Sequence, residues 1–81
     1  MTNVQWFASL VPLPIIIDGP GKYITRRGES VTIESDDFPN NPNSFGWYGH
    51  YGDTPELADR WHRSGRLYFN RPCDNDIVAK V

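Results

Sequence analysis

The residues of this chain that could do chemistry are few and lie far apart in the sequence. The side chains able to ligate a metal ion are His50, His62, Cys73, Asp53, Asp74 and Asp76. They form neither the Cys-x-x-Cys nor the His-x-x-x-His spacing that zinc sites commonly use. We therefore expect no metal and no cofactor, and ordinary surface or aromatic-packed roles for both histidines.

Nucleophilic catalysis also has little support in the sequence. Cys73 would have to lie close to His50 or His62 and to an orienting acid before it could act as a nucleophile. It follows Pro72 in a stretch of turn-forming residues, and no helix N-terminus is predicted beside it to activate the thiol. We expect the protein not to be an enzyme.

Aromatic residues and arginines are the strongest candidates for a binding surface. Aromatic residues make up 14% of the chain, and Trp, Tyr and Arg dominate the energetics of protein–protein contacts. The predicted partner-binding residues are Phe45, Trp47, Tyr48, Tyr51, Arg60, Arg63 and Arg66. The alternative is that most of the aromatic rings fill a small core.

Two other kinds of partner remain open. Arg26, Arg60, Arg63 and Arg66 could hold nucleic-acid phosphates while neighbouring rings stack on bases. The net charge of −2 argues against this, because such proteins usually carry a basic excess. The third alternative is an oligomeric structural protein or a sponge for a nucleotide signal, with homo-oligomers assembled through the N-terminal segment.

Composition divides the chain into an extended segment and one small domain. Residues 1–21 are rich in Pro and Ile, and Pro12 and Pro14 exclude a helix interior there. Residues 22–81 are predicted to form a single β-domain. The longest apolar stretch, residues 8–17, is far shorter than the about 20 residues of a membrane span, and no basic segment precedes it as in a signal peptide. A lone cysteine also suits a reducing compartment, so we expect a cytoplasmic protein without membrane contact.

Short stretches in which apolar and polar residues alternate, separated by turn residues, predict a mainly β fold. Residues 22–27 and 30–35 read as a hairpin turning at Gly28, and residues 45–51 read as a third strand whose glycines mark a bend or close approach. Residues 77–81 close the sheet. The expected architecture is a small curled antiparallel sheet or an SH3-like, partly open barrel of about five strands.

The region from Thr54 to Phe69 admits two interpretations. Thr54-Pro55-Glu56 has the residues of a helix start, which would give one short helix near 55–63. The alternative is a strand through His62, a turn at Gly65 and a further strand over residues 66–69, with Trp61 and Tyr68 paired across the turn. We favour this hairpin because the strand over residues 66–69 needs an antiparallel neighbour.

A set of short motifs connects most of the chain to a known class of proteins. The motifs are Tyr23-Ile24-Thr25-Arg26, Gly28-Glu29, Val31-Thr32-Ile33, Gly46-Trp47-Tyr48-Gly49, Trp61-x-x-x-Gly65-Arg66-x-Tyr68 and Asp76-Ile77-Val78. Together they resemble small uncharacterised phage and prophage β-domain proteins. The resemblance implies a compact β-domain encoded near other accessory genes, and no catalytic residues. It favours a phage accessory protein that binds a host bacterial protein in the host cytoplasm, with inhibition of a defence system as one form of that activity.

Overall fold

A computed structural model describes residues 14–81, which form one antiparallel sheet of five strands. The strands are β1 (Gly21–Thr25), β2 (Ser30–Asp36), β3 (Trp47–Tyr51), β4 (Thr54–Trp61) and β5 (Ile77–Lys80). Their order in the sheet is β4-β3-β2-β1-β5, so β4 and β5 are the two edge strands. The predicted mainly β architecture is confirmed, and the sheet is not closed into a barrel.

The hairpin between β1 and β2 is confirmed, and its turn lies where the sequence predicts it. Gly28 has a φ of +92°, a conformation that residues with a Cβ rarely adopt. The buried Thr25 closes the turn, because its carbonyl accepts the Gly28 N–H and its Oγ1 accepts the Glu29 N–H. The pairing of Tyr23 with Val31 then places both side chains on the core face of the sheet.

The pairing of β3 with β2 depends on Gly49. A Cβ at this position would lie 2.5 Å from the carbonyl oxygen of Thr32 on β2, so only glycine allows the two strands to approach this closely. The register between the strands shifts between Ile33 and Ser35, next to this contact. The glycine inside the predicted third strand therefore marks both a close approach and a local irregularity.

Of the two interpretations of this region, the favoured strand is confirmed and the alternative of a helix near 55–63 is wrong, because Thr54–Trp61 forms β4. Gly52 turns the chain with a φ of +52°, and β4 then runs antiparallel to β3 with Trp61 opposite Trp47. A helix would leave the edge of β3 without this partner and would remove Trp61 from the core. The helix-start residues are overridden by strand pairing, since local propensity is weak compared with tertiary contacts.

The predicted strand over residues 66–69 is also wrong, although the turn before it is confirmed. His62 N–H donates to the Arg66 carbonyl (2.9 Å), and Gly65 has a φ of +88°. The chain then leaves the sheet, because the Leu67 N–H donates to a carboxylate oxygen of Asp76 instead of a neighbouring strand (2.9 Å). Tyr68 is consequently exposed, and the predicted pair between Tyr68 and Trp61 does not form.

The core lies on one face of the curled sheet. Its buried hydrophobic members are Ile17, Tyr23, Val31, Ile33, Tyr51, Trp61 and Ile77. Ile17 precedes the first strand, and the N–H groups of Ile16 and Ile17 both donate to the Arg63 carbonyl (2.9 Å each). The last part of the predicted N-terminal segment thus packs on the sheet.

The first part of that segment, residues 1–13, lies outside the described residues, as does any oligomer contact predicted for it. Within residues 14–81, the structure contains no helix with the length and apolarity that a membrane crossing requires.

Candidate functional site

Two of the predicted binding residues, Tyr48 and Arg60, are brought together by the β3–β4 pairing. They lie directly opposite each other in the register of the two strands. The Arg60 guanidinium carbon is 5.2 Å from the centre of the Tyr48 ring, within the range of a cation–π contact. Arg60 also forms an ion pair with Asp37. This pair therefore presents a ring and a partly neutralised cation on the face of the sheet opposite the core.

Tyr51, also predicted to bind a partner, is part of the core instead. Its ring packs edge-to-face on Trp61 with 5.6 Å between the ring centres, and its hydroxyl donates to Asp59 (2.6 Å). Burial raises the pKa of the Tyr51 hydroxyl, and the neighbouring Asp59 carboxylate raises it further. The side chain is thus held as a neutral hydrogen-bond donor inside the domain.

Trp47 and Phe45 are half-buried, and Trp47 lies on the other face of the sheet from Tyr48. Trp47 packs against the core and, with Arg63 and Ile15, helps to line a cleft of about 310 Å³. The Phe45 ring lies 5.4 Å from the ring of His62. Trp47 and Tyr48 therefore do not form one continuous surface, although they are adjacent in the sequence.

Arg63 and Arg66 flank the turn that follows β4. Burial lowers the pKa of the His62 imidazole, and the charges of Arg63 and Arg66 lower it further. The His62 Nδ1 accepts the Ser64 N–H (3.1 Å), which requires an unprotonated Nδ1. The histidine is thus a structural acceptor that stabilises the turn.

The chain between β4 and β5, residues 62–76, is the longest connection among the described residues, and we call it the seam loop. Asp76 holds it in place. One carboxylate oxygen accepts the Leu67 N–H (2.9 Å), and the other accepts the Cys73 N–H (3.0 Å) and lies 3.4 Å from the Arg26 guanidinium. Trp61 adds a bond from its indole N–H to the Asn75 carbonyl (3.0 Å). An irregular segment is therefore fixed by a buried carboxylate and a core tryptophan.

An open cleft of about 380 Å³, which we call the tyrosine cleft, lies between the seam loop and strands β3 and β4. It is lined by Tyr48, Ala58, Asp59, Arg60, Leu67 and Tyr68. Two of the lining residues, Tyr48 and Arg60, are predicted partner-binding residues. Two others, Leu67 and Tyr68, belong to the segment that the sequence predicts to be a strand.

Sequence reasoning missed Tyr68, Phe69 and Arg71 as surface residues. Tyr68 and Phe69 are 43% and 61% exposed, and the Arg71 guanidinium carbon lies 4.6 Å from the centre of the Tyr68 ring. One signal could have located them: Asn70-Arg71-Pro72 follows Phe69 directly, and Asn and Pro are typical of chain that is leaving a sheet.

No hydrogen bond joins His50, His62 and Cys73, the histidines and the cysteine considered for metal or nucleophilic chemistry. His50 Nδ1 contacts a Glu34 carboxylate oxygen (2.6 Å), His62 bonds Ser64, and Cys73 lies on the seam loop. Among residues 14–81, no group of three or more His, Cys, Asp or Glu side chains is placed to hold a metal ion.

Comparison of the chain with protein families, with curated proteins and with solved structures found no match.

Proposed function

We propose that this chain is a non-enzymatic binding protein that docks a second protein on the tyrosine cleft and on the exposed rings beside it. The observation that carries this proposal is where the exposed apolar side chains lie. Tyr68 and Phe69 are neighbouring exposed rings in the seam loop, and Tyr68 lines the tyrosine cleft. The other exposed large apolar side chains in residues 14–81 are Ile15, Phe38, Leu57, Val78 and Val81, and none of them lines this cleft.

The composition of this surface suits protein recognition. Protein interfaces are enriched in aromatic residues and arginine, and a cleft that admits one side chain of the partner is typical of their energetic centres. The tyrosine cleft has tyrosine rings at two sides, apolar contacts from Ala58 and Leu67, and the Arg60 guanidinium at its wall. It therefore offers both apolar area and a fixed polar group for orientation.

The identity of the partner is proposed from the resemblance to phage and prophage β-domain proteins. A phage accessory protein of this size would act on a host bacterial protein in the host cytoplasm, and occupying a component of a defence system is one way to do so. Binding alone suffices for that activity, so it requires no catalytic group.

The test compares two exposed aromatic residues on different parts of the surface. The immobilised full chain is used to capture proteins from a bacterial lysate, and the recovered protein is identified, purified and titrated calorimetrically. We expect near one-to-one binding that Tyr68→Ala weakens roughly tenfold or more, since interface hot spots contribute at least about 1.4–2 kcal/mol. Phe38→Ala removes another exposed ring, from the β2–β3 loop, and should leave the affinity unchanged.

Tyr68 suits this test better than Trp47, because Trp47 packs against the core and its removal would also destabilise the domain. Equal affinity of the wild type and Tyr68→Ala for the purified partner would overturn the assignment of the surface. Failure to recover any specific partner would count against a protein-binding function.

Nucleic-acid binding is the competing function, and two features of the structure argue against it. Arg60 is paired with Asp37, and Asp59 lies in the same cleft. Both reduce the positive potential that phosphates require. Fluorescence anisotropy of short DNA and RNA at low salt should therefore show no binding, and saturable binding there would favour the alternative.

A further inference from the structure

We propose that the docked segment of the partner is an acidic peptide with apolar side chains, recognised by an aromatic–arginine strip at residues 66–71. This inference rests on the proposed function and names the chemistry of the partner. The strip has the sequence Arg66-Leu67-Tyr68-Phe69-Asn70-Arg71, which combines two guanidinium groups with two exposed rings and contains no acidic residue.

The geometry of the strip holds rings and cations side by side. The Arg71 guanidinium lies over the Tyr68 ring, and Arg66 Nη1 donates to the Phe69 carbonyl (3.2 Å). Leu67 is half-buried against the core and has its N–H bonded to Asp76, so the backbone beneath the rings is anchored. A partner would therefore meet a surface that is already ordered, which reduces the entropy lost on binding.

The charges of the strip are not neutralised by the described part of the chain. Arg26, Arg60 and Lys80 each form an ion pair with a carboxylate. Within residues 14–81, neither Arg66 nor Arg71 has a carboxylate oxygen within 4.0 Å, and each makes only the contact given above. A guanidinium binds a carboxylate through two parallel hydrogen bonds, so an acidic side chain of a partner is the complementary ligand.

The neighbouring strand favours a peptide over a nucleic acid. β4 carries Glu56 and Asp59, and Asp59 shares the tyrosine cleft with Tyr68. A single strand of nucleic acid has one negative charge about every 3.4 Å, so it would place phosphates against these carboxylates. A peptide can place one acidic side chain at the arginines and apolar side chains over the rings of Tyr68 and Phe69.

The experiment selects ligands without assuming a partner. A random ten-residue peptide library displayed on phage is selected against the full chain, and the recovered sequences are compared with the unselected library. We expect enrichment of Asp or Glu next to aromatic or aliphatic residues. The most enriched peptide is then synthesised, and its affinity is measured by calorimetry at low and at physiological salt, beside a ten-residue oligothymidine.

Charge reversal at Arg71 tests the strip, and charge reversal at Lys22 on β1 is the control. Arg71→Glu should lower the affinity for the selected peptide at least tenfold. Lys22→Glu makes the same change in net charge and should leave that affinity within twofold of the wild-type value. The inference is overturned if no peptide is enriched, if the enriched peptides lack acidic residues, if Arg71→Glu binds as tightly as the wild type, or if oligothymidine binds more tightly than the peptide. A host protein that is captured equally by Arg71→Glu would leave the proposed function standing and remove this inference alone.

Discussion

Gly65 lies where the seam loop passes closest to the beginning of β5. Its φ of +88° is in the left-handed region, and its carbonyl accepts the Ile77 N–H (2.8 Å). A Cβ at this position would overlap the Ile77 carbonyl oxygen. Two independent constraints, backbone conformation and lack of space, therefore require glycine at a position where the sequence indicates only a turn.

Gly65→Ala should lower the free energy of unfolding by about 3 kcal/mol or more, because it adds a collision with backbone to the conformational strain. Gly28→Ala is the matched control, since Gly28 has a similar φ of +92° but open space around it. We expect the free energy of unfolding of Gly28→Ala to fall by only about 1–2 kcal/mol. Urea unfolding followed by tryptophan fluorescence measures both, and equal losses would show that the collision at Ile77 is relieved at little cost.

At the scale of elements, the seam loop shows how an irregular segment can be as fixed as a strand. The N–H groups of Leu67 and Cys73, which a strand would direct to a neighbouring strand, are bonded to the buried Asp76 carboxylate. The Asp76 carbonyl in turn accepts the Arg26 N–H (2.8 Å), which connects the loop to the turn after β1. The rings of Tyr68 and Phe69 can therefore face outwards from an anchored backbone.

Asp76→Asn should destabilise the domain by roughly 2–3 kcal/mol, because its amide nitrogen would face a backbone N–H in place of an oxygen acceptor. Asp74→Asn is the control, since Asp74 is exposed and its side chain makes no hydrogen bond among the described residues. It should change stability by less than about 0.5 kcal/mol. Amide hydrogen exchange should quicken at Leu67 and Cys73 in Asp76→Asn before other sites are affected. Unchanged protection of these two amides would contradict the anchoring role.

At the scale of the whole molecule, the core depends on a residue that precedes the first strand. Ile17 is 1% exposed and belongs to the same buried cluster as Trp61 and Ile77. Tyr23 fixes the chain around it, with its hydroxyl donating to the Gly19 carbonyl (2.7 Å). The Lys80 ammonium on β5 donates a hydrogen bond to the Asp18 carboxylate (3.0 Å). This hydrogen bond and the positive charge of Lys80 lower the pKa of the Asp18 carboxyl. The segment that precedes β1 thus links the first and last parts of the described chain.

Ile17→Ala should lower the free energy of unfolding by roughly 2–5 kcal/mol, because it leaves a cavity in the core. A domain of this size has a small core and is only marginally stable. Ile15→Ala removes the same atoms from a side chain that is 59% exposed and should have almost no effect. Thermal and urea unfolding of both variants test the difference. Similar stabilities would mean that Ile17 contributes no more to the core than an exposed residue.

Several elements of this fold could be predicted because their determinants are close together in the sequence. Val31 and Ile33 alternate with polar residues along β2, and Gly28 supplies the turn before it. In the candidate site, Tyr48 and Arg60 were predicted, but the side chains that complete the cleft with them were not. Leu67 and Tyr68 look like strand residues, and the Leu67 N–H is instead bonded to the carboxylate of Asp76, nine residues further along the chain, which takes their backbone away from the sheet.

The mainly β class, the β1–β2 hairpin and the turn at Gly65 follow from local sequence patterns, because alternation and glycine act over a few residues. Which aromatic residues are core and which are surface depends instead on tertiary contacts. Tyr51 is buried by Trp61 and Asp59, whereas Tyr68 is exposed because its segment is bonded to Asp76. These contacts join residues eight to ten positions apart, a range that the alternation of a strand or the residues of a turn do not encode.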